Sequence, residues 1–128
     1  MKLSIHNQTS YQAPRTYFAR ILKKAVALFK FEPPELSVAF LGESEMKRIN
    51  KIYRGVDAPT DVLSFSYGEI LLCPDYIKKK YKITSSKQYS KQTQLLFAHG
   101  ILHIAGYDHS TKGDEEMMRA LEEKLVKC

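Results

Sequence analysis

Residues 99 to 109 read His-Gly-Ile-Leu-His-Ile-Ala-Gly-Tyr-Asp-His and contain three of the four histidines of the chain. They overlap the end of a run, Gln88 to Ala105, whose apolar residues recur at spacings of three and four, and this periodicity predicts a helix. His99 and His103 are four residues apart, so their side chains project from one face of that helix, one turn apart. The stretch therefore predicts a helix that presents two imidazoles side by side.

The third histidine of the stretch follows a glycine that can end the helix. Gly106 can adopt the left-handed conformation typical of helix C-termini, and the chain can then turn back and bring His109 to the other two rings. Three imidazoles that converge without a fourth protein ligand are typical of catalytic zinc, because such sites keep one position for water whereas structural sites close all four. The stretch therefore predicts one Zn²⁺ ion bound by His99, His103 and His109, although spacing alone does not separate zinc from nickel.

The same spacing is found in a class of proteases. H-x3-H-x2-G-x2-H is the metzincin pattern, but Gly100 stands where those proteases carry the glutamate that serves as general base. A single helical histidine among apolar residues is commonly only a core residue, but the third histidine favours a metal site. A zinc metallopeptidase is one alternative, with Gly100 against it. Another is a non-catalytic RNA- or ribosome-binding module whose zinc is structural.

The totals indicate an ordinary globular domain with a basic surface. With 128 residues, 44% hydrophobic and 27% charged, the chain is expected to form one domain over residues 1–128. No apolar run approaches a membrane span and no secretory signal is evident, so a cytoplasmic location without a membrane partner is expected. Cys73 and Cys128 form no metal-binding motif. The net charge of +6 favours a polyanionic partner.

The positive charge is concentrated in one segment. Between Pro74 and Ala98 the only acid is Asp75. Six lysines lie there, at positions 78, 79, 80, 82, 87 and 91, and they alternate with tyrosines at 76, 81 and 89. A basic groove with aromatic rings is typical of single-stranded RNA binding, but a lysine-rich segment is more commonly solvated surface.

The chain pattern predicts an α+β fold. It indicates a mixed, roughly four-stranded sheet with helices packed on it and a metal-binding helix ending at Gly106. A short helix capped by Ser44 is expected to pack through Met46, Ile49 and Tyr53. The other predicted elements are strands 2–7, 36–41, 61–65 and 69–73, the last two as a hairpin, and helices 14–29, 75–81, 88–105 and one from the Thr111 cap that packs on Met117, Met118, Leu121 and Leu125.

Two blocks of the sequence resemble a known family. The stretch HGILHIAGYDH resembles the signature of the YbeY family, zinc-dependent endoribonucleases of bacterial ribosomal-RNA maturation, and residues 50–65, NKIYRGVDAPTDVLSF, are similar to its second characteristic block. The resemblance implies a metal-dependent hydrolase domain that cleaves single-stranded RNA. It further implies ribosomal RNA precursors as substrate, in 16S rRNA 3′-end maturation and ribosome quality control, with ribosomal proteins or assembly factors as further partners.

The second block adds a candidate catalytic residue, Arg54. From the pattern alone it is a surface arginine at a helix end, where its charge favours the helix dipole. The resemblance places it on the arginine that is important in the family. There it is expected to bind the scissile phosphate bidentately and to stabilise charge in the transition state.

Three acidic residues have no settled role. Asp61 is expected to cap the turn before its strand, with a hydrogen bond to a zinc-bound histidine as the alternative. Glu69 stands where the family usually has aspartate. The nearby Ser66, which is not one of the three acids, stands where the family usually has proline. Asp108 is a candidate to orient His109.

Two mechanisms are open. Zinc can lower the pKa of a bound water toward about 7 and supply hydroxide, or the metal can activate the 2′-hydroxyl of the RNA. No general base is identified. Product ends distinguish the two, because attack by the 2′-hydroxyl leaves a 2′,3′-cyclic phosphate.

Overall fold

The computed structural model describes residues 2–29, 35–108 and 110–127. This part of the chain alternates strands and helices. Their bounds are β1 (Lys2–Asn7), α1 (Arg15–Phe29), β2 (Glu35–Phe40), α2 (Glu43–Arg54), β3 (Val62–Phe65), β4 (Glu69–Leu72), α3 (Pro74–Lys80), α4 (Ser86–Ile104) and α5 (Lys112–Val126).

The four strands form one mixed sheet in the order β1-β2-β4-β3. The first three of these are parallel, and β3 pairs antiparallel with β4, with Val62 opposite Leu72 and Phe65 opposite Glu69. The β3–β4 turn closes where Gly68 adopts a φ of 113° and its N–H donates to the Phe65 carbonyl oxygen (2.9 Å). Strand β3 is therefore an edge strand of the described sheet, and one of its sides is open to other groups.

Helices cover both faces of the sheet because side chains alternate along the strands. Leu36, Val38 and Phe40 of β2 and Ile70 and Leu72 of β4 pack with α1 and α4. The intervening side chains pack in a smaller cluster with α2. That cluster contains Leu41, Met46, Leu63, Leu71 and Cys73. None of the described helices has the length and hydropathy needed to cross a bilayer.

The predicted α+β fold with a mixed four-stranded sheet is confirmed. The histidine helix α4 begins two residues before the predicted start, because Ser85 caps it by accepting from the Gln88 N–H (3.2 Å). Ala105 is its C-cap and Gly106 follows with a φ of 103°. The predicted cap of α5 is also confirmed, since the Thr111 hydroxyl accepts from the Asp114 N–H (3.0 Å).

Three local predictions were wrong. Helix α2 starts before Ser44, and its N-cap is Gly42 in an extended conformation. Tyr53 is 67% exposed, because the last turn of α2 runs past the edge of the buried cluster. In α5, Met117 is 50% exposed while Met118 and Leu125 are buried. The apolar pattern thus identified both helices but overestimated the width of their buried faces.

Candidate active site

The two helical histidines meet as their spacing predicts. The Nε2 atoms of His99 and His103 are 2.9 Å apart, and their rings are 80° from coplanar with centroids 4.5 Å apart. Both side chains are half-buried. The Nδ1–H of His99 donates to Glu122 Oε2 (2.7 Å), so in this tautomer the ring lone pair is on Nε2, the nitrogen that faces His103.

This donor set fits a zinc ion. Two nitrogens bound to one tetrahedral zinc lie about 3.3 Å apart, because each zinc–nitrogen bond is about 2.0–2.1 Å. The observed separation of 2.9 Å is close to that distance. A carboxylate behind the ring, as Glu122 lies behind His99, is the usual partner of a metal-bound histidine.

The third predicted ligand, His109, lies outside the described residues. Within residues 2–29, 35–108 and 110–127, no cluster of three histidine, cysteine or carboxylate side chains has the arrangement of a metal site. The described part of the chain therefore supplies two ring nitrogens and one supporting carboxylate. The three-histidine site stays a prediction.

Sequence reasoning missed Glu122. It lies on α5, four residues after buried Met118 and three before buried Leu125, so it belongs to the apolar face of that helix. Its side chain is only 17% exposed. A carboxylate within an apolar stripe needs a partner, because burial of an unpaired charge is costly. The acidic residue within the apolar stripe of α5 was therefore visible in the sequence, but the sequence did not indicate that its partner is His99.

Arg54 lies at the same cavity as the two histidines. The cavity has a volume of about 460 Å³ and lies between β3, the end of α2 and α4. It is lined by Arg54, Thr60, Asp61, Val62, Leu63, Ser64, Ser66, His99, Gly100, His103 and Ile104. The structure thus brings together the candidate catalytic arginine and two of the three candidate ligands, which are far apart in the chain.

Buried Asn50 holds the loop that follows Arg54. Helix α2 ends at Gly55, whose φ of 72° is the left-handed conformation that glycine tolerates best. Asn50 is 1% exposed, and its Nδ2 donates to the Ala58 carbonyl oxygen (2.8 Å). This bond ties the loop to α2, and so it fixes the path of the chain from Arg54 to the wall of the cavity at Asp61.

Asp61 is a structural anchor of the cavity wall. Its Oδ1 accepts from the Val62 N–H (2.8 Å), as expected for a residue that caps the turn before its strand. Its Oδ2 accepts from the Tyr81 hydroxyl (2.7 Å) and from Lys80 Nζ (3.0 Å). Burial by itself raises the pKa of Asp61, but the hydrogen bonds from Tyr81 and Lys80 and the Lys80 charge outweigh it and hold the pKa below its usual range.

The other two acids with unsettled roles contact nearby residues. Glu69 Oε1 accepts from the Tyr67 hydroxyl (2.5 Å) on the short β3–β4 turn, and this bond raises the pKa of Tyr67 to about 12. Asp108 Oδ1 accepts from the N–H (3.3 Å) and the hydroxyl (3.1 Å) of Ser110. The carboxylate that contacts His99 is therefore Glu122.

Gly100 has a packing role that the sequence did not reveal. A Cβ atom there would lie 3.0 Å from Cδ1 and 3.2 Å from Cγ1 and Cγ2 of Ile70. Ile70 is fully buried in β4. The glycine therefore lets α4 approach the sheet closely, directly between the two histidines. A glutamate at this position would require Ile70 to move.

The lysines of the basic segment do not form one surface. Lys79 pairs with Glu43 (2.6 Å) and Lys80 pairs with Asp61. Lys78, Lys87 and Lys91 instead line a separate groove of about 1170 Å³ beside Tyr89. Cys73 is fully buried in the α2 cluster, and this burial raises the pKa of its thiol, so a role as a metal ligand is not favoured.

The mixed sheet, the histidine helix and the arginine-lined cavity define an α+β protein with a candidate site for an anionic substrate. A model of the family Endoribonuclease YbeY matches residues 4–128. The chain therefore belongs to the YbeY endoribonuclease family, whose members are RNA-cleaving hydrolases.

Individual relatives agree with this assignment. An Endoribonuclease YbeY of Phytoplasma mali is 34% identical over 99% of this chain and 88% of the relative. That of Thermodesulfovibrio yellowstonii is 39% identical over 71% of this chain, and the match spans 64% of that protein, slightly under two thirds of its length. The solution structure of TM1509 from Thermotoga maritima is similar with a TM-score of 0.55 and 28% identity, covering 96% of this chain and 88% of that one.

Proposed function

We propose that this protein is a single-strand-specific, zinc-dependent endoribonuclease that processes ribosomal RNA precursors, including the 3′ end of 16S rRNA, and acts in ribosome quality control. The observation that carries the proposal is the convergence of His99 and His103 at the cavity that Arg54 lines. Membership of the YbeY family supports RNA as the substrate. Ribosomal proteins or assembly factors are the proposed partners, residues 1–128 the proposed hydrolase domain, and the cytoplasm the proposed compartment.

The proposed zinc ligands are His99, His103 and His109. A zinc ion in this position supplies Lewis acidity toward water or a phosphoryl oxygen. Glu122 supports this assignment, because its hydrogen bond to Nδ1 keeps the proton on that nitrogen and leaves Nε2 of His99 as the donor.

Arg54 is the proposed phosphate-binding residue. Its guanidinium carries a fixed positive charge and can donate two parallel hydrogen bonds to a phosphodiester. During cleavage, negative charge grows on the non-bridging phosphate oxygens, and a cation already held at the cavity wall stabilises it. Asn50 and Gly55 support this role because they fix the chain on either side of the arginine.

The nucleophile is either water or the RNA 2′-hydroxyl. Gly100 places no carboxylate between the histidines, so the chain offers no base at the position where metzincin proteases have one. The ends of the RNA products decide between the two. A 2′,3′-cyclic phosphate shows attack by the 2′-hydroxyl, whereas a linear phosphate formed without a cyclic intermediate shows attack by water.

Two other functions remain as alternatives to be tested. A zinc peptidase has the same histidine spacing, but Gly100 stands in place of the glutamate of that mechanism, and a side chain there would require Ile70 to move. A non-catalytic RNA-binding module with structural zinc does not account for the cavity that Arg54 lines together with the two half-buried histidines. Cleavage of a denatured protein by the zinc-loaded chain supports the first, and RNA binding without cleavage supports the second.

The deciding experiment is metal analysis of the purified chain together with cleavage of matched single- and double-stranded RNA. We expect about one zinc per chain and cleavage of the single strand only. Contaminating nuclease is the main hazard, so a His103→Ala variant purified in the same way is the control. Equal activity in the variant preparation would contradict the proposed function.

A further inference from the structure

Three aromatic side chains form a ladder outside the hydrophobic core, beside Arg54. The rings of Tyr53 and Phe65 meet edge to face, with centroids 5.2 Å apart. The rings of Phe65 and Tyr67 are stacked, with centroids 5.7 Å apart and an angle of 24° between the ring planes. Tyr53 is 67% exposed and Tyr67 is 70% exposed. We call Tyr53, Phe65 and Tyr67 the aromatic ladder. Single exposed apolar side chains are ordinary, but contiguous exposed ring surface is typical of an interaction site.

The ladder adjoins the catalytic cavity. Tyr53 precedes Arg54 in the chain, and Ser66, which separates Phe65 from Tyr67, lines the cavity with Arg54. Side chains alternate along β3, so Ser64 faces the cavity while Phe65 faces the opposite side of the sheet, where it packs against the α2 cluster. The ladder therefore lies near the open edge of β3, next to the cavity that Arg54 and the histidines line.

The surroundings of the ladder suit a nucleic acid strand. The second half of α2 carries Lys47, Lys51 and Arg54, and Lys47 lies 4.0 Å from Asp57 in an exposed ion pair. Cationic side chains hold the phosphates of a single strand while aromatic faces stack on its bases. The hydroxyl of Tyr67 donates to Glu69 (2.5 Å), which orients that ring before any ligand arrives.

We propose that the aromatic ladder binds an unpaired RNA base next to the phosphate held by Arg54. This inference rests on the proposed function, and it assigns the ladder as the part of the site that selects single strands. A base in a duplex is stacked and paired, so it cannot turn outward over the edge of β3 onto Tyr53 or Tyr67. A base in a single strand can do so at low cost, and every base has a face that stacks on a ring.

The test measures binding rather than cleavage. The probe is a short, fluorescently labelled 2′-O-methyl RNA single strand, whose integrity is checked on a gel, titrated with the zinc-loaded chain. We expect the Tyr53→Ala, Tyr67→Ala double variant to bind at least about fivefold more weakly, as expected for loss of base stacking. The Tyr53→Phe, Tyr67→Phe variant keeps the rings, so its affinity stays within about twofold of the parent.

Two controls make the result specific. Leu28→Ala removes a large side chain that is 46% exposed on α1 and lines neither the catalytic cavity nor the lysine groove, so the affinity should not change. A probe in which abasic nucleotides replace the bases should bind the parent and the alanine double variant equally. Since the substituted side chains are exposed, the melting temperature should stay close to that of the parent.

The outcomes separate this proposal from the proposed function. A weaker alanine variant, a phenylalanine variant equal to the parent, and no difference on the abasic probe support the ladder, even if the chain cleaves no RNA. Equal affinity of parent and alanine variant overturns the ladder even if cleavage is normal. A loss that persists on the abasic probe, or a loss of binding to a ribosomal protein but not to RNA, also overturns it.

Discussion

Two cavities of the described residues differ in size and in the residues that line them. The groove bounded by α1, α3, α4 and α5 has about 1170 Å³, and the cavity at the histidines has about 460 Å³. The larger groove is also more charged. Its ionic side chains are Arg20, Lys78, Lys87, Lys91, Lys124 and Lys127, against Asp75 and Glu123. Neither size nor charge therefore identifies the reactive site.

The smaller cavity differs in the way its polar groups are held. His99 is oriented by Glu122 at 2.7 Å, and Asp61 is fixed by Tyr81 at 2.7 Å. In the groove, Lys91 and Glu123 pair at 3.6 Å with more than half of each side chain exposed, an arrangement that contributes little. The comparison shows that positive charge indicates where a polyanion can bind, whereas converging, pre-oriented groups indicate where a bond can be cleaved.

The largest expected effect comes from His103→Ala. The variant loses one of the two ring nitrogens that meet at 2.9 Å, so we expect bound zinc to fall and RNA cleavage to drop to the background level. Zinc per chain and initial cleavage rates measure this. Lys91→Ala in the groove is the control that should keep its zinc and, at saturating RNA, its cleavage rate. A His103→Ala chain that keeps its zinc and its activity would remove the distinction between the two cavities.

Arg54→Ala tests the other wall of the small cavity. We expect kcat to fall by about 10²–10³, because a donor to the developing charge is lost, while the melting temperature stays unchanged because Arg54 is exposed. Arg54→Lys should recover activity only in part, since lysine lacks the bidentate fork. Arg48→Ala on the same helix, which breaks an exposed pair with Glu45, is the matched control. Full activity in Arg54→Ala would exclude the arginine from the mechanism.

Two variants, Glu122→Ala and Glu123→Ala, compare the effect of neighbouring acids on α5 on zinc affinity. Loss of the carboxylate behind His99 should weaken zinc binding by about 10–100-fold, because the ring loses its orientation and some of its basicity. Glu123→Ala removes the acid next in sequence, which faces the groove and pairs with Lys91. Competition with a zinc chelator measures both. Equal zinc affinity in the two variants would show that Glu122 does not support the metal.

Tyr81→Phe tests the rigid wall at Asp61. Removing one donor to this buried carboxylate should lower the free energy of unfolding at neutral pH by about 1.5–3 kcal/mol. The folded pKa of Asp61 lies below its usual range, so its stabilisation is present above the unfolded pKa of about 3.9 and is lost as the pH falls through the folded value. The difference between parent and variant should therefore shrink as the pH is lowered.

Urea unfolding at a series of pH values measures this effect. Phe at position 81 keeps the ring, so a constant difference at every pH would indicate lost packing rather than the lost hydrogen bond to Asp61. Lys82→Ala is the exposed neighbour that should leave the unfolding curve unchanged.

The smallest effect is expected in the groove. Neutralising Lys87 and Lys91 together should raise KM a few-fold at low salt and leave kcat unchanged, because these lysines line the groove and not the cavity. If both contact phosphates, the slope of log affinity against log salt should decrease by about 1.4, since each contact on a single strand contributes about 0.7. A fall in kcat would mean that the groove belongs to the reaction site.

Local rules predicted the part of the site that lies on one helix. The distance between His99 and His103 follows from four residues of helix, whatever the rest of the chain does. The meeting of Arg54 with these histidines depends on how α2 and α4 pack on opposite sides of the edge strand, and only the family resemblance indicated it. Glu122 depends on the packing of α5 against α4, which no spacing within α5 reveals.

Other errors have the same physical origin. The periodicity of α2 placed Tyr53 with Met46 and Ile49, but Tyr53 contacts the partly buried ring of Phe65 at the end of β3 and stays 67% exposed. The alternatives for Asp61 could not be separated from the sequence because its partners, Lys80 and Tyr81, come from a helix end about twenty residues later. The composition suggested that the basic segment forms one surface. In the fold, Lys79 pairs with Glu43, Lys80 pairs with Asp61, and other lysines of the segment line the separate groove.

The close contact of Gly100 with Ile70 limits how this scaffold can evolve. A single codon change to glutamate would install the missing protease residue, yet the same change would push a side chain into fully buried Ile70. A smaller residue at position 70 would relieve that contact, but by itself it would leave a void in the core. Either change disturbs the packing of α4 on the sheet, so the core of this fold opposes a glutamate beside His99.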